Sequence, residues 1–143
     1  MYLAIDPGID TGWASFAKNG SLLACSVGSP PSCSGMVVIE KPQIYPSRLS
    51  KGNPNDLITL ALQVGRYIER LEAQGATVTL ALPHEWKGTI PKDIHHKRIV
   101  GYLTDAERQV IKTYGAGVAA GKVHNMLDAV GLGKWAFKVG RFK

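Results

Sequence analysis

Cysteine is scarce in this sequence, and its spacing excludes the common structural uses of thiols. The 143 residues include only two cysteines, Cys25 and Cys33, and neither has a cysteine or histidine neighbour at zinc-finger spacing. A zinc finger is therefore excluded, and both side chains are interpreted as ordinary reduced thiols. The chain is long enough to bury a core without covalent cross-links.

Long hydrophobic runs are also lacking. No apolar stretch approaches the roughly 18 residues that a membrane-spanning helix requires. The first residues do not form a signal peptide, because Asp6 comes early and no basic segment precedes an apolar run. We therefore expect a protein without membrane association that stays in the cytoplasm.

Acidic residues are outnumbered by basic ones. Seventeen Lys and Arg residues against eleven Asp and Glu leave a net charge of +6, with a pI near 9.4. A small basic domain favours a polyanionic partner such as nucleic acid, although solvated lysines produce the same balance. The remaining composition is ordinary, with 45% hydrophobic residues and no repeat, so we expect one domain over residues 1–143.

The residue pattern predicts an α/β fold, in which a mixed five-stranded sheet is flanked by helices. Asn19-Gly20 marks a hairpin between the second and third strands. Asn53 or Asn55 can cap the first helix, and Thr104 with Glu107 forms a capping-box pattern. The strands are expected at residues 2–5, 13–18, 21–27, 36–40 and 77–82, and the helices at 57–71, 91–103, 105–114 and 122–137.

Two of the expected strands end on an acid that is followed by a chain break. Asp6 precedes Pro7, and Glu40 precedes Lys41-Pro42. If these strands are neighbours in one sheet, both carboxylates lie at the edge where open α/β sheets bind ligands. The alternative for Asp6 is a purely structural role in capping the turn that follows it.

A third acid lies on the last helix. His124 and Asp128 are four residues apart, so they share one face of that helix. Apolar residues surround Asp128 in the sequence, and an unpaired carboxylate would be costly to bury there. Asp128 therefore needs a cation or a metal ion as a partner, while His124 alone is equally consistent with a capped or ion-paired histidine.

Asp6, Glu40, Asp128 and His124 together form a set of mostly oxygen ligands. Such a set suits Mg²⁺ or Mn²⁺ better than zinc, because it contains no thiolate and only one imidazole. Two ions about 3.5–4 Å apart can stabilise the attacking and leaving oxygens of a phosphoryl displacement. With a basic surface around them, the expected substrate is a nucleic-acid backbone.

The motifs that contain these residues resemble those of RuvC-type Holliday-junction resolvases, which have a ribonuclease-H-like fold. They are Ile5-Asp6-Pro7-Gly8 with Thr11-Gly12, residues 38–42, and residues 124–129, while residues 86–92 resemble a phage-type relative. The resemblance implies that Asp6 bridges two Mg²⁺ or Mn²⁺ ions, Glu40 holds one, and Asp128 with His124 completes the site. It also implies a homodimer that cuts a four-way DNA junction by paired symmetric nicks, leaving 5′-phosphate and 3′-hydroxyl ends. The location would then be nucleoid-associated, or the host cytoplasm if the protein is phage-encoded.

The sequence departs from that family in two places. The family places its last two ligands three residues apart, a spacing that Asn125 rather than His124 has to Asp128. Either side chain could face the metals, and His124 is favoured because imidazole can ligate a metal or move a proton. The loop over residues 28–35 is also too short for the helix that the family usually has there.

Basic side chains near the expected site are candidates for DNA contacts. Lys92 is the candidate for the scissile phosphate, where a cation offsets developing negative charge, so it is grouped with the catalytic residues. Tyr45 is placed to stack at an opened junction. The helix over residues 57–71 is the expected dimer contact, and a helix that only faces the core fits its pattern as well. The full set of predicted DNA-binding residues is Lys41, Arg48, Lys51, Lys87, Lys92, Lys97 and Arg98.

Three other functions fit parts of the pattern. A monomeric ribonuclease-H-like nuclease could act on flaps or RNA–DNA hybrids, and a non-catalytic protein could bind DNA structures. The presence of all the expected acids argues against the non-catalytic alternative. The turn after Asp6 also resembles the phosphate-binding hairpin of actin-type ATPases, but 143 residues cannot supply the two subdomains that those proteins need.

Overall fold

The computed structural model describes residues 1–44 and 53–142. No helix within these ranges is both long and apolar enough to cross a lipid bilayer. The elements, in chain order, are β1 (Tyr2–Asp6), β2 (Gly12–Phe16), β3 (Leu22–Val27), β4 (Met36–Glu40), α1 (Pro54–Ala73), β5 (Thr77–Ala81), α2 (Pro83–Trp86), α3 (Lys92–Tyr102), α4 (Asp105–Gly115), a 3-10 turn (Ala120–Lys122) and α5 (Val123–Lys138).

The five strands form one mixed sheet in the order β3-β2-β1-β4-β5, which confirms the expected architecture. The first three strands are antiparallel, and β4 and β5 continue the sheet in parallel with β1. The register pairs Leu3 with Val37 and Ile5 with Ile39. Because β1 and β4 are parallel neighbours, the acids at their carboxyl ends lie at the same edge of the sheet.

Successive side chains of each strand point to opposite faces of the sheet, so the core has two layers, one on each face. Leu3 and Ile5 face one layer, where they pack with buried residues of α1 such as Leu71. Ala4 faces the opposite layer, which contains Met126 and Ala129 of α5. Since successive side chains of a strand point to opposite faces, Asp6 shares the α5 face with Ala4. The same parity places Glu40 on the α5 face with Val38.

The helix boundaries follow the expected capping chemistry. Asn53 caps α1, and its side-chain oxygen accepts a hydrogen bond from the backbone N–H of Asn55 at 2.9 Å. Thr104 and Glu107 form the expected capping box of α4. The segment after β5, expected to be irregular, instead begins with the short helix α2, because Glu85 accepts a hydrogen bond from the backbone N–H of Leu82 at 2.8 Å.

A buried ion pair joins α4, α5 and the β2–β3 hairpin. The carboxylate of Glu107 pairs with Lys134 and accepts a hydrogen bond from the backbone N–H of Leu22 at 2.8 Å. Lys134 also donates to the carbonyl of Gly20 at 2.9 Å. Burial tends to raise the pKa of Glu107, but the hydrogen bonds from Lys134, Leu22 and Thr104 outweigh it and lower that pKa below its ordinary value.

Replacing this acid should therefore cost stability in a pH-dependent way. Glu107→Gln should lower the free energy of unfolding near neutral pH by about 2 kcal/mol, because it removes a charge-assisted pair at nearly constant volume. A depressed carboxyl pKa stabilises the folded state above the ordinary pKa of 4.5, and this contribution is lost as the pH falls further. Urea unfolding at neutral and acidic pH measures both effects.

Glu69→Gln is the matched control, because Glu69 is an exposed acid of α1. It should change the free energy of unfolding by no more than about 0.5 kcal/mol. If Glu107→Gln lowered the free energy of unfolding as much at acidic pH as at neutral pH, the ion-pair explanation would be contradicted.

Candidate active site

Three acids meet at the edge of the sheet where β1 and β4 end. Asp6 and Glu40 close these strands, and Asp128 of α5 faces them from the adjoining layer. Asp6 and Asp128 are only 9% and 3% exposed. Burial raises the pKa of Asp6 well above its usual value, and the negative charges of Glu40 and Asp128 raise it further. The three acids predicted from the sequence are therefore within electrostatic range of one another.

The turn after β1 does not rely on Asp6. The hydroxyl of Thr11 donates to the carbonyl of Gly8 at 3.0 Å and lies 2.8 Å from the hydroxyl of Tyr67 on α1. Gln63 of α1 donates to the same Gly8 carbonyl at 3.0 Å. Among the hydrogen bonds of the described residues, none uses the Asp6 carboxylate for this turn, so that carboxylate is left for the acidic cluster.

Glu40 is contacted by two residues at the end of α2. The indole N–H of Trp86 donates to its Oε2 at 2.8 Å, and Nζ of Lys87 lies 3.2 Å from the same oxygen. Burial tends to lower the pKa of Lys87, but the charges of Glu40, Asp128 and Asp6 outweigh it and raise that pKa. Lys87 is thus a permanent positive charge at the acidic cluster.

Asp128 is contacted by a histidine that the sequence did not single out. Nε2 of His96 on α3 lies 2.9 Å from Oδ1 of Asp128, and both side chains are largely buried. Lys92 lies one turn earlier on the same helix face and is near enough to lower the pKa of Asp6. The four-residue spacing of Lys92 and His96 on one helix face is the sequence signal that could have identified this histidine.

His124 has a different environment. It is half-buried at the first turn of α5, and no hydrogen bond or ion pair described for the three acids includes it. Asn125 contributes its backbone, because its carbonyl packs directly against Gly12. The structure thus brings Asp6, Glu40, Asp128 and Lys92 together and adds Lys87 and His96, while the role of His124 stays a prediction.

The other predicted DNA contacts are dispersed. Lys41, Lys97 and Arg98 are exposed, the first just after β4 and the other two on α3. Arg48 and Lys51, together with Tyr45, lie outside the described residues. The assignment of these side chains to DNA binding stays a prediction.

The acidic cluster has the chemistry of a divalent-cation site. Within residues 1–44 and 53–142, no three His, Cys, Asp or Glu side chains are placed to hold a metal ion as they stand, and Glu40 and Asp128 are paired with Lys87 and His96 instead. However, Asp6 is buried beside two like charges, which disfavours its ionised form until a cation compensates. Carboxylate oxygens suit a hard ion such as Mg²⁺, so the residues present fit one.

Gly12 sets how closely α5 approaches the acids of the sheet. It pairs with Asp6 across β1 and β2, and the backbone of α5 at Asn125 lies directly over it. A Cβ atom here would overlap the Asn125 carbonyl and lie 3.0 Å from the backbone nitrogen of Met126. Only glycine allows α5 to lie this close to β2. Because Asp128 follows Asn125 by less than one turn of α5, this close packing brings Asp128 near Asp6.

Comparison with known proteins identifies the fold. No family model matches this sequence, and no curated protein matches it either. The structure is similar to T. thermophilus RuvC in complex with a Holliday junction substrate, with a TM-score of 0.61 at 15% identity, over 98% of this chain and 94% of that one. A second Thermus thermophilus RuvC structure aligns over 97% of this chain and 96% of that one, at 14% identity and a TM-score of 0.45. The chain therefore has the ribonuclease-H-like fold of RuvC, which confirms the predicted resemblance at the level of fold.

Substituting Gly12 tests the close approach of α5. Gly12→Ala should lower the free energy of unfolding by about 2 kcal/mol or more. The added methyl group would overlap the backbone of Asn125, which can move away only if the whole of α5 shifts. Gly65→Ala in α1 is the matched control, since a Cβ there meets nothing within 4 Å. That change should be neutral or stabilising by up to about 1 kcal/mol. Equal stability of the two variants in urea unfolding would show that the contact at Gly12 is not tight.

Proposed function

We propose that this protein is a divalent-metal-dependent DNA endonuclease that resolves four-way junctions by paired symmetric nicks. Each nick is the hydrolysis of one phosphodiester, in which water adds to phosphorus and the P–O3′ bond breaks, leaving 5′-phosphate and 3′-hydroxyl ends. The active site consists of Asp6, Glu40 and Asp128 at the edge of the sheet. Two Mg²⁺ or Mn²⁺ ions per site are proposed as the cofactor.

The observation that carries the proposal is the burial of the Asp6 carboxylate near two other acids, Glu40 and Asp128. Glu40 and Asp128 each raise the pKa of Asp6 beyond the effect of burial alone. A buried carboxylate near two further negative charges reduces stability, and strongly perturbed acids of this kind cluster at functional sites. A cation that binds to all three would relieve the repulsion.

The basic residues around the acids fit a phosphodiester substrate. Bound divalent ions would supply Lewis-acid stabilisation of the charge that develops on the phosphate. Lys92 would hold a non-bridging phosphate oxygen from the exposed side, while Lys87 orients Glu40 through its 3.2 Å ion pair. His96 orients Asp128 through the 2.9 Å contact and is placed to hold or pass a proton at Nε2.

Branched DNA is the substrate class that the fold favours. The similar T. thermophilus RuvC structure is one in complex with a Holliday junction substrate, and the present chain carries a net charge of +6. Paired nicks require two active sites, so we propose a homodimer. Helix α1 supports this, because Ile58 and Leu62 are 59% and 63% exposed and share one face of the helix.

A second candidate is a monomeric nuclease of the same fold that acts on flaps or RNA–DNA hybrids. The connection over residues 28–35 contains no helix, although RuvC-type resolvases are expected to have one there. The acidic cluster would be shared by both candidates, so the difference between them lies in the DNA structure that is cut.

The proposal is tested by incubating the protein with a four-way junction, a flap, a duplex and an RNA–DNA hybrid, with Mg²⁺ or with chelator. Symmetric paired nicks in the junction alone, and only with the metal, are the expected result. Asp6→Asn and Asp128→Asn should each reduce the cleavage rate at least about 10³-fold. Junction binding should remain, because each variant removes one negative charge without altering the basic surface.

Asp105→Asn is the matched control, since the Asp105 side chain is fully exposed and its ion pair is with Arg108 on its own helix. It should cleave at the wild-type rate. Full activity of Asp6→Asn, or of the wild type in chelator, would eliminate the metal-dependent site. Cleavage of flaps or hybrids in preference to junctions would select the second candidate.

The two histidines near the site are distinguished by their contacts. His96→Gln should reduce junction cleavage about 10²-fold or more, because it removes the imidazole that touches Asp128. His124→Gln should have a much smaller effect, because the described contacts of Asp128 are with His96 and not with His124. The nicking rates of both variants at saturating Mg²⁺ measure the difference, and a larger loss in His124→Gln would restore His124 as the functional histidine.

A further inference from the structure

A cleft adjoins the acidic cluster between helices α3 and α5, with the end of α2 closing one side. Its volume is about 510 Å³, which lies in the range of small-molecule and cofactor pockets. Of its lining residues, Trp86 and Lys87 contact Glu40, and the proposed catalytic chemistry gives no role to the others.

The walls of the cleft are aromatic and tightly supported. Trp86, Trp135 and Tyr102 line it, and Ile99 packs at its base beside Gly131. A Cβ atom on Gly131 would lie 2.9 Å from Cγ1 of Ile99 and 3.1 Å from Cζ3 of Trp86. The helices are therefore as close here as a bare glycine allows, so the cleft is preformed. The ring of Tyr102 is 79% exposed and stands free for a planar ligand.

The charged residues of the cleft are all basic. Lys87 and Lys134 are already paired, with Glu40 and Glu107 respectively. Arg98 and Lys138 also line the cleft, and within the described ranges neither forms an ion pair. No acidic residue of ranges 1–44 and 53–142 lines the cleft. Charge complementarity therefore favours an anionic ligand.

His95 adds a polar group that lacks a partner. It lines the cleft and is only 9% exposed, yet its Nε2 atom forms no hydrogen bond with any described residue. A buried polar atom without a partner is uncommon in folded proteins and indicates a missing ligand or water. The ligand should therefore present a hydrogen-bonding edge as well as a planar face and a negative charge.

We propose that this cleft binds one unpaired nucleotide of a DNA strand. Its base packs against Tyr102 and Trp135, an edge of the base hydrogen-bonds to His95, and its phosphate lies between Arg98 and Lys138. Every base has an aromatic face, so the site tolerates different sequences but requires the base to be out of its duplex. A paired base cannot enter, because both its stacking faces are covered within the helix.

The position of the cleft connects it to the acids. Trp86 forms part of its wall, and the indole N–H of the same residue donates to Glu40. A nucleotide held here is thus next to the acidic cluster, where it would fix the register of the strand. This positional role rests on the proposed nuclease function, whereas nucleotide binding itself does not.

Binding is measured with the full chain in chelator, so that no metal ion links phosphate to the acids. Two of the three tryptophans line the cleft, which makes intrinsic fluorescence a direct probe. Titration with dAMP should give saturable quenching, while ribose 5-phosphate should bind at least about 5-fold more weakly because it lacks the stacking base. Equal binding of the two, or no saturable quenching, would overturn the proposal.

Exposed residues of the cleft provide variants that preserve the fold. Tyr102→Ala and Arg98→Ala should each weaken dAMP binding at least about 5-fold, through lost stacking and lost charge respectively. Tyr114→Ala and Lys112→Ala are the matched controls, since both residues belong to α4 and do not line the cleft. If the control variants lost as much affinity for dAMP as the cleft variants, the assignment of the cleft as the nucleotide site would be overturned.

The source of the nucleotide is distinguished by a short oligonucleotide. The single-stranded oligonucleotide should displace dAMP from the cleft. The duplex of the same sequence should need at least about a 5-fold higher concentration to displace it. Competition by free nucleotides alone would overturn the strand assignment. The proposed function is tested by cleavage and this site by binding without metal, so the failure of either is recognised separately.

Discussion

The close packing of α5 on the β1–β2 hairpin is the constraint on which the site depends. The backbone of α5 lies on Gly12, and Gly12 is the strand partner of Asp6. Any side chain at that position would separate the helix from the sheet. Since Asp128 follows Asn125 by three residues, this one contact determines whether Asp128 reaches the acids of the sheet.

The resulting cluster opposes folding locally, and its neighbours offset that cost. Asp6 is buried next to two acids, which raises its pKa, while Lys87 and His96 pair with Glu40 and Asp128. The compensating groups come from α2 and α3, so these helices are part of the site as well as of the core. A bound cation, as proposed for this site, would compensate the charge of Asp6 that these two pairs leave uncompensated.

Much of this arrangement could be predicted from the sequence because it depends on local patterns. The strand-ending acids Asp6 and Glu40 and the alternation of Ala4 and Ile5 place the carboxylates at one edge and on one face. The hairpin and the caps of α1 and α4 follow from Asn-Gly and from the capping residues.

The contacts of the acids could not be predicted in the same way. Trp86 and Lys87 reach Glu40 from more than forty residues away, and His96 reaches Asp128 across the interface of α3 and α5. Such pairings depend on how helices dock, which residue spacing within one element does not specify. Spacing to Asp128 therefore favours His124, although the histidine that is hydrogen-bonded to Asp128 belongs to another helix.

Helix α3 presents different residues to the acidic cluster and to the cleft. Lys92 and His96 face the acids, while His95 and Arg98 line the cleft towards α5. Trp86 lies between the two regions and contacts both. A strand bound in the cleft would thus be held at a constant distance from the acidic cluster by rigid elements rather than by loops.

The central claim is that Asp6, Glu40 and Asp128 share a divalent cation. Anomalous diffraction from crystals grown with Mn²⁺ tests it directly, because the anomalous scattering of Mn²⁺ locates the ion in the map. The account predicts anomalous density in direct contact with carboxylate oxygens of all three acids. Ordered Mn²⁺ found only elsewhere, with Glu40 still bound to Lys87 and Asp128 to His96, would contradict it.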